Sequence, residues 1–394
     1  MTEADATLGR GAATPFAVRS GFVADAGGGA AHYGNPISEQ RLLERGRAIV
    51  DLGAHGVVAV AGPDRLSWLN SITSQLLLGL APGTSTETLV LDASGRVEHA
   101  ARVVDDGTTT WLLTDPGDAE PLAAWLTSMR FMLRVDVTLR SADVRTIGAF
   151  DPAPLAAVPA DAVLATWIDP WASVTAGGWS YAERPDHPGH DWSYREVVVT
   201  TDAAAALAGS DVPVAGTLAL EALRIAAWRP RLADVDERTI PHELDWLRSA
   251  VHLSKGCYRG QETVAKVHNL GHPPRRLVLL HLDGSEGVLP AVGAAVTAPD
   301  PKARASDTSG LGVPSVSAGV PSAEVGRITA VATHHELGPI ALAIVRRSLD
   351  PTVVLTALAD GDVAVTAAQE TIVPPSAGAV AGVPRLPRLG AVRR

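Results

Sequence analysis

The spacing of apolar residues in the first half of the chain predicts short helices and strands in alternation. An unbroken apolar run at 56–62 has the length and composition of a buried strand. Leu66, Leu69 and Ile72 then fall on one face of a helix that Pro63 opens. Alternating segments separated by glycine-containing turns follow, which predicts a β-meander. The remaining predictions are helices at 38–52, with Ser38 as the N-cap, and at 116–131, and strands at 88–92, 96–104, 108–115, 133–140 and 195–200.

The second half changes from helical to all-β patterning at Arg275. A helix is predicted from Thr217 until Pro230, whose ring cannot continue a helix. From Arg275 onward, short apolar segments separated by Gly and Asp turns predict a small barrel. The expected fold class is therefore α+β. The expected divisions are a flexible N-terminal arm at 1–36, an α/β region of two subdomains at 37–275, a barrel at 276–370 with a mobile, Ser/Gly/Pro-rich insert at 299–322, and a disordered tail at 371–394.

Composition indicates a soluble globular protein and narrows its surroundings. Of 394 residues, 46% are apolar and 19% are charged, proportions that suit a packed core. The single cysteine excludes an intrachain disulfide, which favours a reducing cytoplasm. Neither a signal peptide nor an apolar run of about 18 residues is evident, so we expect no membrane partner. A net charge of −10 disfavours direct binding to nucleic acid.

The single cysteine, Cys257, lies in a basic, glycine-flanked loop that precedes a predicted helix. Lys255 and Arg259 flank the sulfur, and Gly256 and Gly260 permit a tight turn. Nearby cations and a helix N-terminus both favour a thiolate, and they also suit a bound carboxylate or phosphate. The alternative is that the thiol is a small buried hydrophobe without chemistry. Because no apolar run surrounds it, we favour a functional loop.

Histidines near this loop raise the possibility of zinc, which we do not favour. His252, His268 and His272 could join Cys257 in a four-ligand site. Prolines end the helix directly after His272, so the histidines need not share a face, and we predict no metal site. An iron–sulfur cluster would need ligands from a partner chain, because clusters generally take four protein ligands.

The octet KGCYRGQE, at 255–262, resembles the signature loop of the YgfZ family of folate-binding proteins, which are relatives of the glycine-cleavage T-protein, an aminomethyltransferase. Supporting segments lie in order along the chain, and the resemblance covers about 50–350. The segment 62–75 is similar to the family's first helix, 222–232 with 239–247 to its folate-cleft helix and following loop, and 325–345 to strands of its C-terminal barrel.

This resemblance implies a fold, a cofactor and a role. The fold is a three-lobed arrangement of two α/β subdomains and a β-barrel, with tetrahydrofolate or a derivative bound near the centre. Relatives that carry the cysteine loop support iron–sulfur enzymes, and through them tRNA modification, so the implied partners are iron–sulfur cluster carriers or enzymes. Cys257 would be the reactive thiol, assisted by Lys255. The motif residues are Lys255, Gly256, Cys257, Tyr258, Gly260, Gln261 and Glu262.

The sequence departs from the transferase in its cleft helix. The T-protein carries R-L-E-A-G there, and its glutamate recognises the pterin, whereas this chain has Ala226 at that glutamate's position. Alanine offers no hydrogen-bond acceptor. Trp228 could stack on the ligand instead, and Glu243 could supply a carboxylate. The expected folate contacts are Arg224, Trp228, Arg231, Glu243, Tyr258 and Arg259.

Two alternative functions remain open at this point. In a folate-dependent aminomethyltransferase, an aspartate pair follows the first β-turn, and Glu98 and His99 stand at the matching positions. Either side chain could act as acid or base in that reaction. The other alternative is an adaptor that kept the fold and lost the ligand, which Ala226 favours.

Overall fold

The computed structural model describes residues 14–285, 287–299, 322–359 and 363–382. The predicted insert at 299–322 lies almost entirely outside these ranges, as do the ends of the predicted arm and tail. The strands are β1 (Val23–Ala24), β2 (Ala30–His32), β3 (Ile49–Asp51), β4 (Gly56–Ala61), β5 (Ser85–Leu91), β6 (Val97–Asp105), β7 (Thr109–Thr114), β8 (Asp136–Leu139), β9 (Val144–Ala149), β10 (Val163–Ile168), β11 (Arg195–Thr200), β12 (Val214–Ala215), β13 (Arg275–Leu282), β14 (Ala295–Pro299), β15 (Ser322–His334), β16 (Gly338–Arg346), β17 (Leu355–Ala359) and β18 (Val363–Thr371). The α-helices are α1 (Pro36–Glu44), α2 (Arg65–Ile72), α3 (Ala119–Ser128), α4 (Thr201–Ala208), α5 (Thr217–Ala226) and α6 (Gln261–Asn269).

The first α/β unit is a five-stranded antiparallel sheet covered on one face by α2 and α3. Its strand order is β5-β6-β7-β4-β8, and it contains the predicted meander. Trp68 and Leu69 of α2 and Leu122 of α3 are buried with the apolar side chains of β4 and β7. The predicted strand at 56–62 and the helix after it are confirmed, because both carry the apolar face that this packing needs.

The second α/β unit has the strand order β10-β11-β9-β3-β12. Only β12 and β3 pair in parallel, and the other neighbours are antiparallel. Ala204 and Leu207 of α4 are buried against one face with Ile49 and Ile147, while α1 and α5 contact β12 and β3. The C-terminal unit is a closed barrel in the order β13-β16-β15-β14-β17-β18, which confirms the predicted barrel.

Helix α1 is shorter than its pattern predicts and begins earlier. Its N-cap is Asn35, whose side chain accepts a hydrogen bond from the backbone of Ser38, and Pro36 occupies the first turn. The chain leaves the helix at Gly46, which has a φ of +65° that an L-residue rarely adopts. The apolar residues after it therefore form β3 rather than a third helical turn.

The described parts of the predicted arm and tail are packed against the rest of the protein. Phe16 is fully buried in the core of the second sheet, and Thr14 donates a hydrogen bond to Asp51. Ile372 and Val373 are fully buried, and Val373 pairs its N–H with the carbonyl of Leu277. The expectations of flexibility at 14–36 and of disorder at 371–382 are therefore corrected, because isolated apolar residues anchor both segments. Within the described ranges, no helix combines the length and the apolar character that crossing a membrane requires.

Candidate functional site

A central cavity of about 80 Å³ lies between the two α/β sheets and α5. Strand β6 contributes Ala100 and Ala101 to its wall, and β11 contributes Glu196 from the second sheet. Helix α5 closes a third side, and Trp246 a fourth. The charged and titratable residues of the lining are His55, Glu87, Arg102, Asp115, Asp169, Tyr194, Glu196, Glu221, Arg224, Arg229 and Arg231.

Each arginine of this lining is held between two carboxylates. Arg102 binds Asp115 at 2.6 Å and Glu196 at 3.2 Å, so it joins strand β6 to β11. Arg231 also reaches Asp115, at 3.1 Å, and then Glu221 at 3.3 Å. Charge-assisted bonds of this kind fix the geometry of buried groups and satisfy their hydrogen-bonding capacity.

The other two arginines connect α5 and its C-terminal turn to the walls of the cavity. Arg229 binds Glu87 of β5 at 2.7 Å and Asp169 at 2.9 Å. Arg224 also lines the cavity, where it pairs with Glu221 and, at 2.7 Å, with Asp234. The wall of the cavity therefore combines apolar side chains with charged groups whose positions are fixed by ion pairs.

Burial changes the protonation behaviour of several groups in the lining. Burial raises the pKa of Glu196, and the nearby Arg102 guanidinium only partly offsets this. Burial alone would also raise the pKa of Asp115, but Arg231 and Arg102 outweigh it and hold that pKa well below its usual range. Burial lowers the pKa of His55 to about 3, with a smaller contribution from Arg102, so its imidazole is neutral at physiological pH.

Four buried polar atoms of the lining have no hydrogen-bond partner among the described residues. Glu87 and Glu196 each leave one carboxylate oxygen unpaired, Trp246 leaves its indole N–H, and His55 leaves Nδ1. Unpaired buried polar atoms are uncommon in folded proteins, because each carries a desolvation cost. One oxygen of each of two carboxyl groups and one indole N–H are therefore left to bind a ligand in the cavity.

Two of the residues predicted to contact folate lie away from this cavity. Trp228 is fully buried, with its ring 5.2 Å from that of His187 and 5.7 Å from the guanidinium carbon of Arg184. It occupies a left-handed position with φ of 58°, just beyond the end of α5. Glu243 is also fully buried and bonds Arg275 at 2.8 Å. Neither side chain is positioned to stack on, or accept from, a ligand in the cavity.

Cys257 is exposed, so the alternative of a buried, inert thiol is corrected. The loop that contains Cys257 is closed by a hydrogen bond from the side-chain amide of Gln261 to the carbonyl of Lys255, at 3.1 Å. Gly260, with φ of +83°, turns the chain into α6. A Cβ at Gly260 would lie 2.6 Å from the carbonyl oxygen of Asp92, so the close approach of the β5–β6 turn also requires glycine.

Lys255 does not assist the thiol in the way its position in the sequence suggests. Its side chain is buried, and its ammonium group donates to the carbonyl oxygens of Asn70, Thr73 and Gln75, the last two at 2.7 Å. Burial lowers the pKa of Lys255 to about 8. The lysine therefore ties the cysteine loop to the end of α2, and its cation is directed at carbonyl oxygens that only the folded chain brings together.

The remaining motif residues organise the surface around the loop. Arg259 pairs with Glu98 at 2.8 Å, and both are partly exposed. Tyr258 is buried, and burial raises the pKa of its phenol. Glu262 is exposed in the first turn of α6. Tyr258 and Arg259 were both predicted to contact folate, but neither lines the central cavity, so these two residues of the cysteine loop lie outside its wall.

The histidines considered for zinc do not gather around Cys257. His268 bonds the hydroxyl of Tyr181 at 2.9 Å, and His272 bonds the carbonyl of Ala377 at 2.7 Å.

Among the described residues, one group of three has metal-ligand spacing, and it lies elsewhere, at Glu44, His334 and His335. There Nδ1 of His334 already accepts backbone N–H groups from Glu336 and Leu337, which places the proton on Nε2. That ring therefore offers no free lone pair to a metal ion.

Comparison with known proteins identifies the fold. The glycine cleavage system aminomethyltransferase T from Bartonella henselae matches with a TM-score of 0.63, over 91% of this chain and 96% of that chain, at 16% identity. The fold is that of aminomethyltransferase T. At this identity the likeness establishes the fold alone. A heterotetrameric sarcosine oxidase from Corynebacterium sp. U-96, in complex with pyrrole 2-carboxylate, matches 44% of this chain and 93% of that chain at 12% identity, with a TM-score of 0.22 that supports no argument. No family model and no curated protein matches this chain.

The structure adds lining residues that the sequence analysis did not select. Glu87 is a buried residue of β5 that precedes the apolar end of the strand, and Glu196 directly precedes the apolar run of β11. A charged residue at a buried strand position is rare unless it is paired or functional. That signal was present in the sequence, but the partners that give it meaning are more than 50 residues away.

Proposed function

We propose that this protein is a folate-binding accessory protein of the YgfZ type that supports iron–sulfur enzymes, and through them tRNA modification. In this proposal, tetrahydrofolate or a derivative binds in the central cavity, and Cys257 is the reactive thiol presented to an iron–sulfur carrier or enzyme in the cytoplasm. The observation that carries the proposal is the exposed cysteine in its anchored loop, on a protein with the fold of aminomethyltransferase T.

The polar atoms of the cavity suit the pterin end of a folate. The 2-amino group and the adjacent ring N–H of a pterin form a pair of donors, which a carboxylate accepts well. Glu196 has an unpaired buried oxygen, and its other oxygen is held by Arg102. Glu196 could therefore supply the acceptor that Ala226 lacks.

The surroundings of Cys257 support a role between proteins. A single thiol cannot complete the ligand set of an iron–sulfur cluster, so any cluster contact requires ligands from a second chain. Cys257 is exposed, while its backbone is anchored through Lys255 and Gln261. A fixed backbone with an accessible sulfur suits transient contact with a partner's cluster or thiol.

Aminomethyl transfer is the second candidate, because the fold is that of an aminomethyltransferase. Glu98 would be its acid or base, but Glu98 pairs with Arg259 and does not line the cavity. His99 pairs with Asp118 at 2.5 Å, and burial raises the pKa of that aspartate. The next residue of β6, Ala100, lines the cavity and has no acidic or basic group. Because neither Glu98 nor His99 reaches the cavity, the structure favours the accessory role over aminomethyl transfer.

We expect Glu196→Gln to weaken tetrahydrofolate binding by roughly tenfold to a hundredfold, the effect of losing a charged acceptor for a buried donor pair. The glutamine is nearly isosteric, so the fold should persist. Isothermal titration calorimetry of both proteins measures the difference, with Glu98→Gln as the control, because Glu98 is partly exposed and outside the cavity. Equal affinities would place the pterin elsewhere, and no binding by the parent protein at millimolar folate would refute the folate proposal.

We expect Cys257→Ser to unfold within about 0.5 kcal/mol of the parent protein, because the side chain is exposed. The same variant should fail to restore iron–sulfur enzyme activity in cells that lack the protein, since a hydroxyl replaces the reactive sulfur. Ser254→Ala, an exposed position in the same segment, is the control and should restore activity. Full restoration by Cys257→Ser would exclude a role for the thiol.

A further inference from the structure

The first α/β sheet has an open edge at strand β8. In the strand order β5-β6-β7-β4-β8, β8 pairs with β4 on one side, and no strand in the described ranges pairs with its other side. The opposite edge of the sheet is held against the second unit, because Ser85 of β5 accepts a hydrogen bond from the backbone of Ile168 at 2.9 Å. Asp136, Thr138 and Leu139 of β8 are exposed. The β8 edge therefore faces solvent.

The outer side of β8 carries main-chain groups without partners among the described residues. Arg140, directly after β8, donates its N–H to the carbonyl of Val57 at 2.8 Å. Successive residues of an antiparallel strand direct their N–H and C=O groups to opposite sides. Thr138 therefore also faces β4, whereas Val137 and Leu139 direct their groups outward. Unpaired N–H and C=O groups on an exposed edge form a template for another strand.

Exposed apolar side chains lie at the beginning of this strand. The loop that leads from α3 into β8 carries Phe131, which is 83% exposed, and Met132, which is 88% exposed. Leu133 in the same loop and Leu139 in β8 are also exposed. Single apolar residues are common on protein surfaces, but a group of them beside an open strand edge marks an interaction site.

The charges of this strand are complementary to those of a second copy of the same strand. When two copies of β8 pair antiparallel about a two-fold axis at Thr138, Val137 of each copy lies opposite Leu139 of the other. These two residues then exchange main-chain hydrogen bonds. In the same register, Asp136 of each copy lies opposite Arg140 of the other. Alternate residues of a strand share a face, so the two charged side chains meet across the pair.

Both charged side chains are available for this contact. Asp136 is 73% exposed and has a contact of 3.6 Å with Arg130. Arg140 binds Asp143 at 3.1 Å, and that carboxylate is largely exposed. Exposed ion pairs of this kind are weak, so neither prevents a contact with a second copy.

The neighbouring registers lack this complementarity. Displacing one strand by two residues brings Arg134 of each copy opposite Arg140 of the other, and the like charges repel. Displacing it by two residues in the other direction places Asp136 opposite Ala142, so the ion pairs are lost. The charges of the edge therefore favour one register, which is the one centred on Thr138.

We propose that this protein forms a two-fold symmetric dimer in which the β8 strands of two copies pair antiparallel and join their sheets. The apolar loop at 131–133 of each copy then lies beside the C-terminal end of the other copy's β8, which removes part of its apolar surface from water. The strand is four residues long, so the interface is small. A small interface gives a weak dimer, with a dissociation constant on the order of 10–100 μM.

Charge reversal in single and mixed variants tests both the dimer and its register. Sedimentation velocity over ~5–500 μM protein should show the parent protein converting from monomer to dimer. Asp136→Arg alone and Arg140→Asp alone should each dimerise at least about tenfold more weakly, because both contacts across the axis then join like charges. An equimolar mixture of these two variants should dimerise about as tightly as the parent protein, because each contact again joins opposite charges. The control is Glu237→Arg, a charge reversal at an exposed position outside this sheet, which should leave the association unchanged.

The opposite results are equally clear. A parent protein that stays monomeric over this range would overturn the proposal and leave the edge to a strand from a different protein. Single variants that dimerise as tightly as the parent protein would place the contact elsewhere, and so would an equal loss in the control. A mixture that stays monomeric, with both variants shown by thermal unfolding to be folded, would rule out the two-fold register.

Discussion

Replacing Lys255 by methionine is expected to lower the free energy of unfolding by about 3–5 kcal/mol, because three carbonyl oxygens, two of them in buried contacts, lose their donor and each unpaired buried group costs ~1–3 kcal/mol. Methionine preserves most of the side-chain volume, so packing changes contribute little. The carbonyls belong to Asn70, Thr73 and Gln75, which form the end of α2 and the turn after it. The loss should therefore loosen both this turn and the cysteine loop. Equilibrium unfolding in urea measures the change.

The control for this experiment is Lys266→Met, which removes an exposed lysine from the nearby helix α6. It should change stability by less than about 0.5 kcal/mol, as surface substitutions usually do. A Lys255→Met protein as stable as the control would show that water replaces the ammonium group at no cost. The conformation of the cysteine loop would then not depend on the hydrogen bonds of Lys255.

Replacing Arg229 by methionine is expected to destabilise the protein by about 3–5 kcal/mol, because removing one partner leaves buried charges uncompensated. Arg229 holds both Glu87 and Asp169, and all three side chains are buried. Without the ion pair between Arg229 and Glu87, the turn after α5 is no longer bound to β5. The walls of the central cavity should therefore become less ordered. Urea unfolding gives the magnitude.

Two further variants separate charge from packing in this cluster. The triple variant Arg229→Met, Glu87→Gln and Asp169→Asn should recover part of the stability, since no buried charge then lacks a partner. Arg134→Met breaks an ion pair with Asp64 in which the arginine is 74% exposed, and its stability should stay close to that of the parent protein, because exposed ion pairs contribute little. A loss in Arg229→Met no larger than that in Arg134→Met would contradict the view that this cluster holds the cavity together.

Local pattern was sufficient for most of the secondary structure. The strand β4, the helix α2 and the strands of the barrel were predicted from alternation, length and turn residues alone. These signals are local, because the periodicity of side chains along a helix or a strand depends only on residues a few positions apart. The resemblance of 255–262 to the YgfZ loop added the T-protein fold, which the comparison of structures confirms.

The prediction was less successful where a side chain's partner is distant in the sequence. Lys255 was expected to serve the neighbouring sulfur, but its ammonium group is bound by carbonyls about 180 residues earlier in the chain. Glu243 was expected to face a ligand, but Arg275 holds it in the core. In both cases the sequence shows a charged residue but does not show which residue it binds, because that partner lies far away along the chain.

The sequence by itself therefore determined the elements, the barrel and the loop that presents Cys257, because each depends on residues within a few positions of one another. Only the tertiary structure decided which charged residues are structural and which line a cavity. Glu196 and Glu243 are both buried glutamates near an arginine, yet one keeps an unpaired oxygen in the cavity wall and the other is fully engaged by Arg275. The physical reason is that a buried charge is stabilised only by partners brought close in space, and those partners come from segments that the chain order does not connect.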